Sequence, residues 1–107
     1  MDATASVSDE TFDDAVVSNS KPVIVEYWAQ WCGPCRQVGP VLDAIAREHT
    51  DRVDVVKLNV DENPRVVRRY GIMLVPTIAL FSGGQPVKQV IGAKSKSALL
   101  REFEGLI

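Results

Sequence analysis

The spacing of apolar residues changes along this chain, and each change predicts a different kind of element. Residues 22–27 and 53–59 are rich in valine, isoleucine and leucine, which indicates strands. They recur at intervals of three and four over residues 32–49, as expected of a helix with one buried face. Two further strands, over residues 77–81 and 87–91, flank a glycine-containing segment that is typical of a hairpin. The apolar face of the long helix consists of Val38, Val41, Leu42, Ile45 and Ala46.

Weaker signals predict a short strand over residues 3–7 and three more helices. Ser8 is a candidate N-cap for the first of them. Asn63 is expected to cap the second, which Gly71 ends in a left-handed conformation. Ser95 is expected to cap the last helix. The apolar positions of that last helix are Leu99, Leu100, Phe103, Leu106 and Ile107.

Strands and helices alternate in this order and the chain closes with a hairpin and a helix. That order predicts an α/β fold in which helices cover both faces of a central sheet. The length of 107 residues predicts a single domain spanning residues 1–107. A chain of that size buries roughly 65% of its unfolded surface, which is enough for a core without stabilising cross-links.

Composition and charge exclude several classes of function. The net charge of −2 gives no electrostatic reason to expect nucleic acid or an anionic membrane as a partner. No apolar run approaches the 18 or more residues of a membrane span. The first residues lack the basic and apolar regions of a secretory signal, and both cysteines lie in one motif rather than in a disulfide framework. We therefore expect a cytoplasmic protein.

The two cysteines, Cys32 and Cys35, lie between a predicted buried strand and the start of the long helix. Unpaired N–H groups and the positive end of the helix dipole favour a thiolate at Cys32. Cys32 can attack a disulfide, and Cys35, one turn further on and more shielded, can resolve the mixed disulfide. Pro34 is tolerated so early in a helix, and Gly33 lets the backbone of a partner approach closely.

Other interpretations of the cysteine pair are weaker. A structural disulfide closing so short a loop contributes only about 2 kcal/mol on the loop-entropy argument. A zinc or iron–sulfur site needs four ligands, and His49 is the one histidine available, so no metal is expected. Two inert buried cysteines remain possible, but the residues around them argue for redox chemistry.

The segment Trp31 to Cys35 reads Trp-Cys-Gly-Pro-Cys and resembles the signature of the thioredoxin family, in its small cytosolic bacterial form. The resemblance continues through most of the chain after residue 20, including Val75-Pro76-Thr77 and Gly92-Ala93. It implies the thioredoxin fold, in which four helices flank a mixed five-stranded sheet with a parallel centre. It also implies a redox-active disulfide between Cys32 and Cys35 and a protein-disulfide reductase activity.

The resemblance implies further site residues. In the family, the bond before Pro76 is cis and the proline faces the disulfide, so the backbone of Val75 is expected to pair with an extended substrate. A trans proline that begins a strand is the alternative. Together with Gly33 and Pro34, the expected substrate-binding residues are Trp31, Val75, Pro76, Gly92 and Ala93. Met73 and Leu74 form an apolar pair where the family varies, and the sequence does not reveal what they select.

Glu26 stands where the family usually has aspartate, and it is expected to relay a proton to or from Cys35. A carboxyl surrounded by apolar residues has a raised pKa, which suits a proton carrier near neutral pH. An exposed or ion-paired Glu26 is the alternative interpretation. Lys57 matches a family lysine that lies near this carboxylate, although a solvated lysine at a strand edge explains it nearly as well.

The function implied by the resemblance is the reduction of disulfides in substrate proteins by a monomer that carries no cofactor. Its electrons are expected from NADPH through a separate flavoprotein thioredoxin reductase. One alternative is a binding subunit or adaptor that uses the fold without redox turnover. Another is an oxidant or isomerase, but Gly33-Pro34 between the cysteines favours a reductant.

Overall fold

The predicted order of strands and helices is found in the fold. A computed structural model describes residues 4–107, and that range holds five strands and four helices. The strands are β1 (Ala5–Ser6), β2 (Val23–Trp28), β3 (Asp54–Asn59), β4 (Thr77–Ser82) and β5 (Gln85–Ile91). The helices are a π-helical turn (Asp13–Val17), α1 (Gly33–Glu48), α2 (Pro64–Tyr70) and α3 (Lys96–Glu102). The first residue of the strand predicted over residues 3–7 lies outside the described residues.

The five strands form one mixed sheet in the order β1-β3-β2-β4-β5. Strands β1, β3 and β2 are parallel, whereas β4 runs antiparallel to β2 and β5 antiparallel to β4. The parallel centre with an antiparallel closing hairpin confirms the fold that the resemblance implied. Because β2 and β3 are parallel, their carboxyl ends meet at one edge of the sheet, and the cysteine motif follows directly after β2.

Successive side chains of β2 enter two separate cores, because strand residues alternate between the faces of a sheet. Ile24 packs with residues of α1 and α3, including Leu42 and Leu99. Val25 and Tyr27 pack with Phe12 before the π-helical turn, and with residues of α2. Two buried layers on either side of one sheet therefore hold β2 at the centre of the molecule.

The predicted cap of the first helix is wrong, whereas the second helix begins at the predicted residue but is capped by another side chain. The Ser8 backbone N–H donates to Thr11 Oγ1, so residues 8–12 form a turn and the helical segment begins later. Asn63 is the N-cap residue of α2, as predicted, but its side chain does not cap the helix, because its Oδ1 accepts from the Asp9 backbone N–H at 2.8 Å. The Asp9 carboxylate instead accepts from the N–H groups of Arg65 and Val66. The side chain that caps α2 thus comes from a distant loop.

The end of α2 and the start of α3 lie where the sequence predicts, but the end of α3 does not. Gly71 ends α2 with φ of 64°, and Ser95 caps α3 by accepting from the Ala98 N–H. Helix α3 was predicted to include Leu106 but ends at Glu102, and Gly105 adopts φ of 80°, which is a left-handed conformation. Within residues 4–107, no helix combines the length and apolar character needed to cross a bilayer.

Candidate active site

The two cysteines form a disulfide at the start of α1. Cys32 is the N-cap residue and Cys35 lies in the first turn, with Cα atoms 5.4 Å apart. Cys32 Sγ also accepts a hydrogen bond of 3.3 Å from the Cys35 backbone N–H. Backbone N–H groups at a helix start are donors without intrahelical partners, and they stabilise negative charge on a nearby sulfur. The local geometry therefore favours charge on Cys32 once the disulfide is reduced.

The predicted difference in exposure between the two cysteines is wrong for the disulfide form. Both residues are only 4% exposed, because Trp28, Val60 and Val75 pack against the disulfide. What distinguishes the cysteines is their surroundings. Cys32 Sγ accepts the helix N–H, whereas Cys35 lines a cavity that lies behind the motif and is partly open to solvent.

That cavity, of about 180 Å³, connects Cys35 with Glu26 and Lys57. Glu26 is 4% exposed, so its carboxyl is buried rather than held at the surface. Burial raises the pKa of Glu26 to about 7, although the positive charge of Lys57 acts in the opposite direction. Lys57 lies opposite Glu26 in the register of β3 and β2, with Nζ 6.0 Å from the centre of the Trp28 ring. A carboxyl that titrates near neutral pH thus shares a cavity with one of the two thiols.

Trp31 lies on the rim of the site with 70% of its surface exposed. Its indole Nε1 donates to Asp61 Oδ2 at 2.8 Å, which fixes the orientation of a side chain that would otherwise be free to rotate. No motif in the sequence marks Asp61 as a site residue. The available signal was topological, because Asp61 follows β3 at the same sheet edge at which the cysteine motif follows β2.

A groove of about 350 Å³ opens between Trp31 and the loop before β4. Met73 and Leu74 form one wall and are 90% and 58% exposed, which is unusual for large apolar side chains. Val75 continues that wall and also packs against the disulfide. We call this feature the apolar groove; its remaining lining residues are Val60, Asp61, Val67 and Ile72.

The Val75–Pro76 bond is cis, as the resemblance implied. Two hydrogen bonds hold the segment around it: Thr77 Oγ1 donates to the Leu74 carbonyl, and the Gly92 N–H donates to the Pro76 carbonyl at 2.9 Å. Gly92 has φ of 98°, a conformation that favours glycine. Gly92 therefore adjoins the proline, but neither it nor the exposed Ala93 lines the apolar groove.

The open side of the motif is formed by Gly33 and Pro34, which are both exposed. A Cβ atom added at Gly33 would meet no atom within 4 Å, so the space above this residue is free for a partner. Arg36 is exposed, lines the cavity that contains Glu26 and donates to the Gln30 carbonyl at 2.7 Å. Among the described residues, no group of three or more histidine, cysteine or carboxylate side chains is placed to hold a metal.

Comparison with known proteins agrees with this geometry. The thioredoxin family model matches residues 3–104, nearly the whole chain. The chain belongs to the thioredoxin family. It is 50% identical over 95 residues to thioredoxin of Streptomyces clavuligerus, covering 89% of this chain and 88% of that protein. It is 49% identical over 105 residues to thioredoxin of Mycobacterium tuberculosis, covering 98% of this chain and 90% of the relative.

A third relative is the bifunctional thioredoxin reductase/thioredoxin of Mycobacterium leprae. The two sequences are 48% identical over 104 residues, which is 97% of this chain but 23% of that longer protein. Members of the thioredoxin family are protein-disulfide oxidoreductases that work with thioredoxin reductase and carry no cofactor of their own. The chain is accordingly a protein-disulfide reductase whose redox centre is the Cys32–Cys35 pair.

Proposed function

We propose that Cys32 is the attacking thiolate, Cys35 the resolving thiol and Glu26 the group that carries the proton of Cys35. The observation that carries this division of roles is the contrast between the two cysteines. Cys32 Sγ accepts a backbone N–H at the helix start, while Cys35 shares a cavity with a buried carboxyl. The first environment stabilises a thiolate, and the second provides a base for the other thiol.

The reaction then takes two exchanges. The Cys32 thiolate attacks one sulfur of the substrate disulfide, forms a mixed disulfide and releases the first substrate thiolate. Glu26 accepts the proton of Cys35, directly or through water in the cavity, which is large enough to hold water. The Cys35 thiolate attacks the Cys32 sulfur of the mixed disulfide and releases the second substrate sulfur as a thiolate. Two electrons pass from the dithiol to the substrate, and the Cys32–Cys35 disulfide forms.

Substrate docking is proposed to use Trp31, Val75, Pro76, Gly92 and Ala93, with Gly33 and Pro34 leaving the approach open. The apolar groove beside the disulfide and the exposed Trp31 support this proposal. The backbone of Val75 has no partner in a strand or turn within residues 4–107, so an extended substrate can pair with it. Lys57 is proposed to moderate the charge on Glu26.

The physiological setting is also a proposal. We infer that a separate thioredoxin reductase, a flavoprotein using NADPH, regenerates the dithiol of a monomeric, single-domain protein in the cytoplasm. The name of the Mycobacterium leprae relative, which combines reductase and thioredoxin in one chain, supports this kind of partner. Disulfide-containing proteins are the proposed substrates. Light scattering at micromolar concentration tests the monomer, and a dimer mass would contradict it.

Insulin reduction tests the assignment of roles. With dithiothreitol as electron donor, the wild-type chain is expected to precipitate the insulin B chain, and Cys32→Ser is expected to be inactive. Glu26→Gln is expected to slow the resolving step and flatten its pH dependence near pH 7, whereas Glu26→Asp, which introduces the usual family residue, retains it. An unchanged pH profile in Glu26→Gln would remove Glu26 from the mechanism.

A further inference from the structure

The apolar groove contains one carboxylate, that of Asp61. Among the described residues that line the groove, Asp61 is the one that carries a charge. Its Oδ2 accepts from the Trp31 indole at 2.8 Å, and its backbone N–H donates to Asn59 Oδ1 at 2.9 Å, so the residue is held from two sides. Asp61 Oδ1 has no hydrogen-bond or ion-pair partner within residues 4–107, and the residue is exposed. A carboxylate oxygen of fixed position is therefore accessible to a group that enters the groove.

No described basic side chain neutralises this carboxylate. Helix α2 contributes Val67 to the groove and carries three arginines. Arg65 and Arg69 form ion pairs with acidic residues that precede β2, and Arg68 does not line the groove. The groove thus combines apolar walls with a negative charge that Asp61 does not share with a cation of the described chain.

This combination limits the side chain that fits the groove. Arginine and lysine have a methylene stem that packs on apolar surface, here Met73 and Leu74, and a cationic head that can reach a polar group. The planar guanidinium of arginine also matches the geometry of a carboxylate. A wholly apolar side chain would take water from Asp61 without pairing with it, and an acidic one would meet a like charge. An arginine is therefore the best occupant.

We propose that the apolar groove selects substrate proteins that carry an arginine within two residues of the reacting cysteine, and that Asp61 pairs with its guanidinium. The arginine must lie close to the cysteine, because Val75 both lines the groove and packs against the disulfide. This selection rests on the substrate docking beside Val75 that is proposed above, and it specifies the class of substrate.

Peptides that differ only in charge test the pairing. Citrulline has the length and stem of arginine but no charge. A short peptide with one cysteine, used as its disulfide-linked dimer, carries arginine or citrulline at one of the two positions on either side of the cysteine. The rate constant for its reduction by the reduced full chain is divided by that for dithiothreitol, which corrects for the reactivity of the disulfide itself. At low ionic strength, the corrected rate for arginine is expected to exceed that for citrulline about threefold at one position or more. Salt is expected to reduce this ratio.

Two variants separate the groove from the general charge of the surface. Asp61→Asn keeps an acceptor for the Trp31 indole but removes the charge, so the ratio of arginine to citrulline is expected to fall to about one. Glu62→Gln is the matched control, because Glu62 is exposed and adjacent in sequence but does not line the groove, and it should retain the ratio of about three. Each ratio compares two peptides on the same variant, so a general loss of activity cancels.

The proposal would be overturned by the absence of a preference for arginine at every position in the wild type. An equal loss of the preference in Asp61→Asn and Glu62→Gln would overturn it as well, because the charge would then act from outside the groove. Reduction of the citrulline peptides by the wild type shows in the same assay that the proposed redox function holds. A failure of the selection is thereby distinguished from a failure of the reaction.

Discussion

Two carboxyl groups of this protein pack against other parts of the chain, yet their charges are controlled in opposite directions. Asp9 is half-buried, whereas Glu26 is only 4% exposed. Burial would raise the pKa of Asp9, but the N–H groups of Val66 and Arg65 outweigh it, so the pKa is lowered. Burial raises the pKa of Glu26 to about 7, and the opposing charge of Lys57 does not cancel the effect.

The difference lies in the donors that each region provides. Asp9 meets the start of α2, where backbone N–H groups lack intrahelical partners, and the ionised carboxylate completes the fold there. Glu26 meets apolar strands and a cavity beside Cys35, so its charge destabilises the fold but can accept a proton. We call these the capped region and the redox region. Changes in the first should affect stability alone, and changes in the second should affect chemistry.

The largest expected effect is on turnover in the redox region. Cys35→Ser removes the resolving thiol, so insulin reduction should fall by about 10³-fold or more while a mixed disulfide accumulates at Cys32. Mass spectrometry of the stalled adduct checks the prediction. Asp9→Ala, from the capped region, is the control and should turn over normally. Normal turnover by Cys35→Ser would contradict the two-thiol mechanism.

Next in size is the pH dependence of stability caused by Glu26. The pKa of Glu26 is about 7 in the folded chain, whereas the ordinary value of 4.5 applies to the unfolded chain. The folded state therefore binds the proton more tightly than the unfolded state does. The stabilisation from the neutral form is complete below pH 4.5 and is lost as pH rises through 7. Between pH 4 and pH 8, the free energy of unfolding of Glu26→Gln should therefore rise by about 3 kcal/mol relative to that of the wild type.

Denaturant unfolding of the two proteins across that pH range measures the difference. The disulfide must be kept in the same redox state in both, because its loss changes stability by itself. A constant difference between wild type and Glu26→Gln at all pH values would mean that the carboxyl is solvated in the folded chain.

A smaller effect is expected in the capped region. Asp9→Ala removes the acceptor for two N–H groups of α2 and should lower the melting temperature by about 5 °C at pH 7. Because the pKa of Asp9 is lowered, its contribution is present above the unfolded value and is lost as pH falls through the folded value. The penalty of Asp9→Ala should thus shrink in acid, whereas a penalty independent of pH would show that charge is not involved.

The smallest effect concerns the apolar groove. Met73→Ser removes an apolar side chain that is 90% exposed, so we expect a KM about threefold higher for a protein substrate with apolar residues beside its disulfide. The kcat should not change, because Met73 contacts neither sulfur. Leu106→Ser, at another exposed apolar position, is the matched control. An equal change in KM in both variants would exclude a specific role for the groove.

Local patterns in the sequence predicted the strands and the redox region but not the capped region. The cysteine motif, the buried Glu26 and the strand positions depend on neighbouring residues, and the structure agrees with them. Asp9 is 54 residues from Asn63 and 56 residues from Arg65 in the sequence. Its capping of α2 replaces a side-chain cap that Asn63 could have supplied locally.

The central claim is that Cys32 is an accessible and readily ionised thiol once the disulfide is reduced. Its most direct test is the rate of iodoacetamide alkylation of reduced Cys35→Ser across a pH series, with free cysteine as reference. We predict half-maximal reactivity at Cys32 about one pH unit or more below that of free cysteine. Reactivity that rises at the same pH as free cysteine, or no reaction at all, would contradict the account.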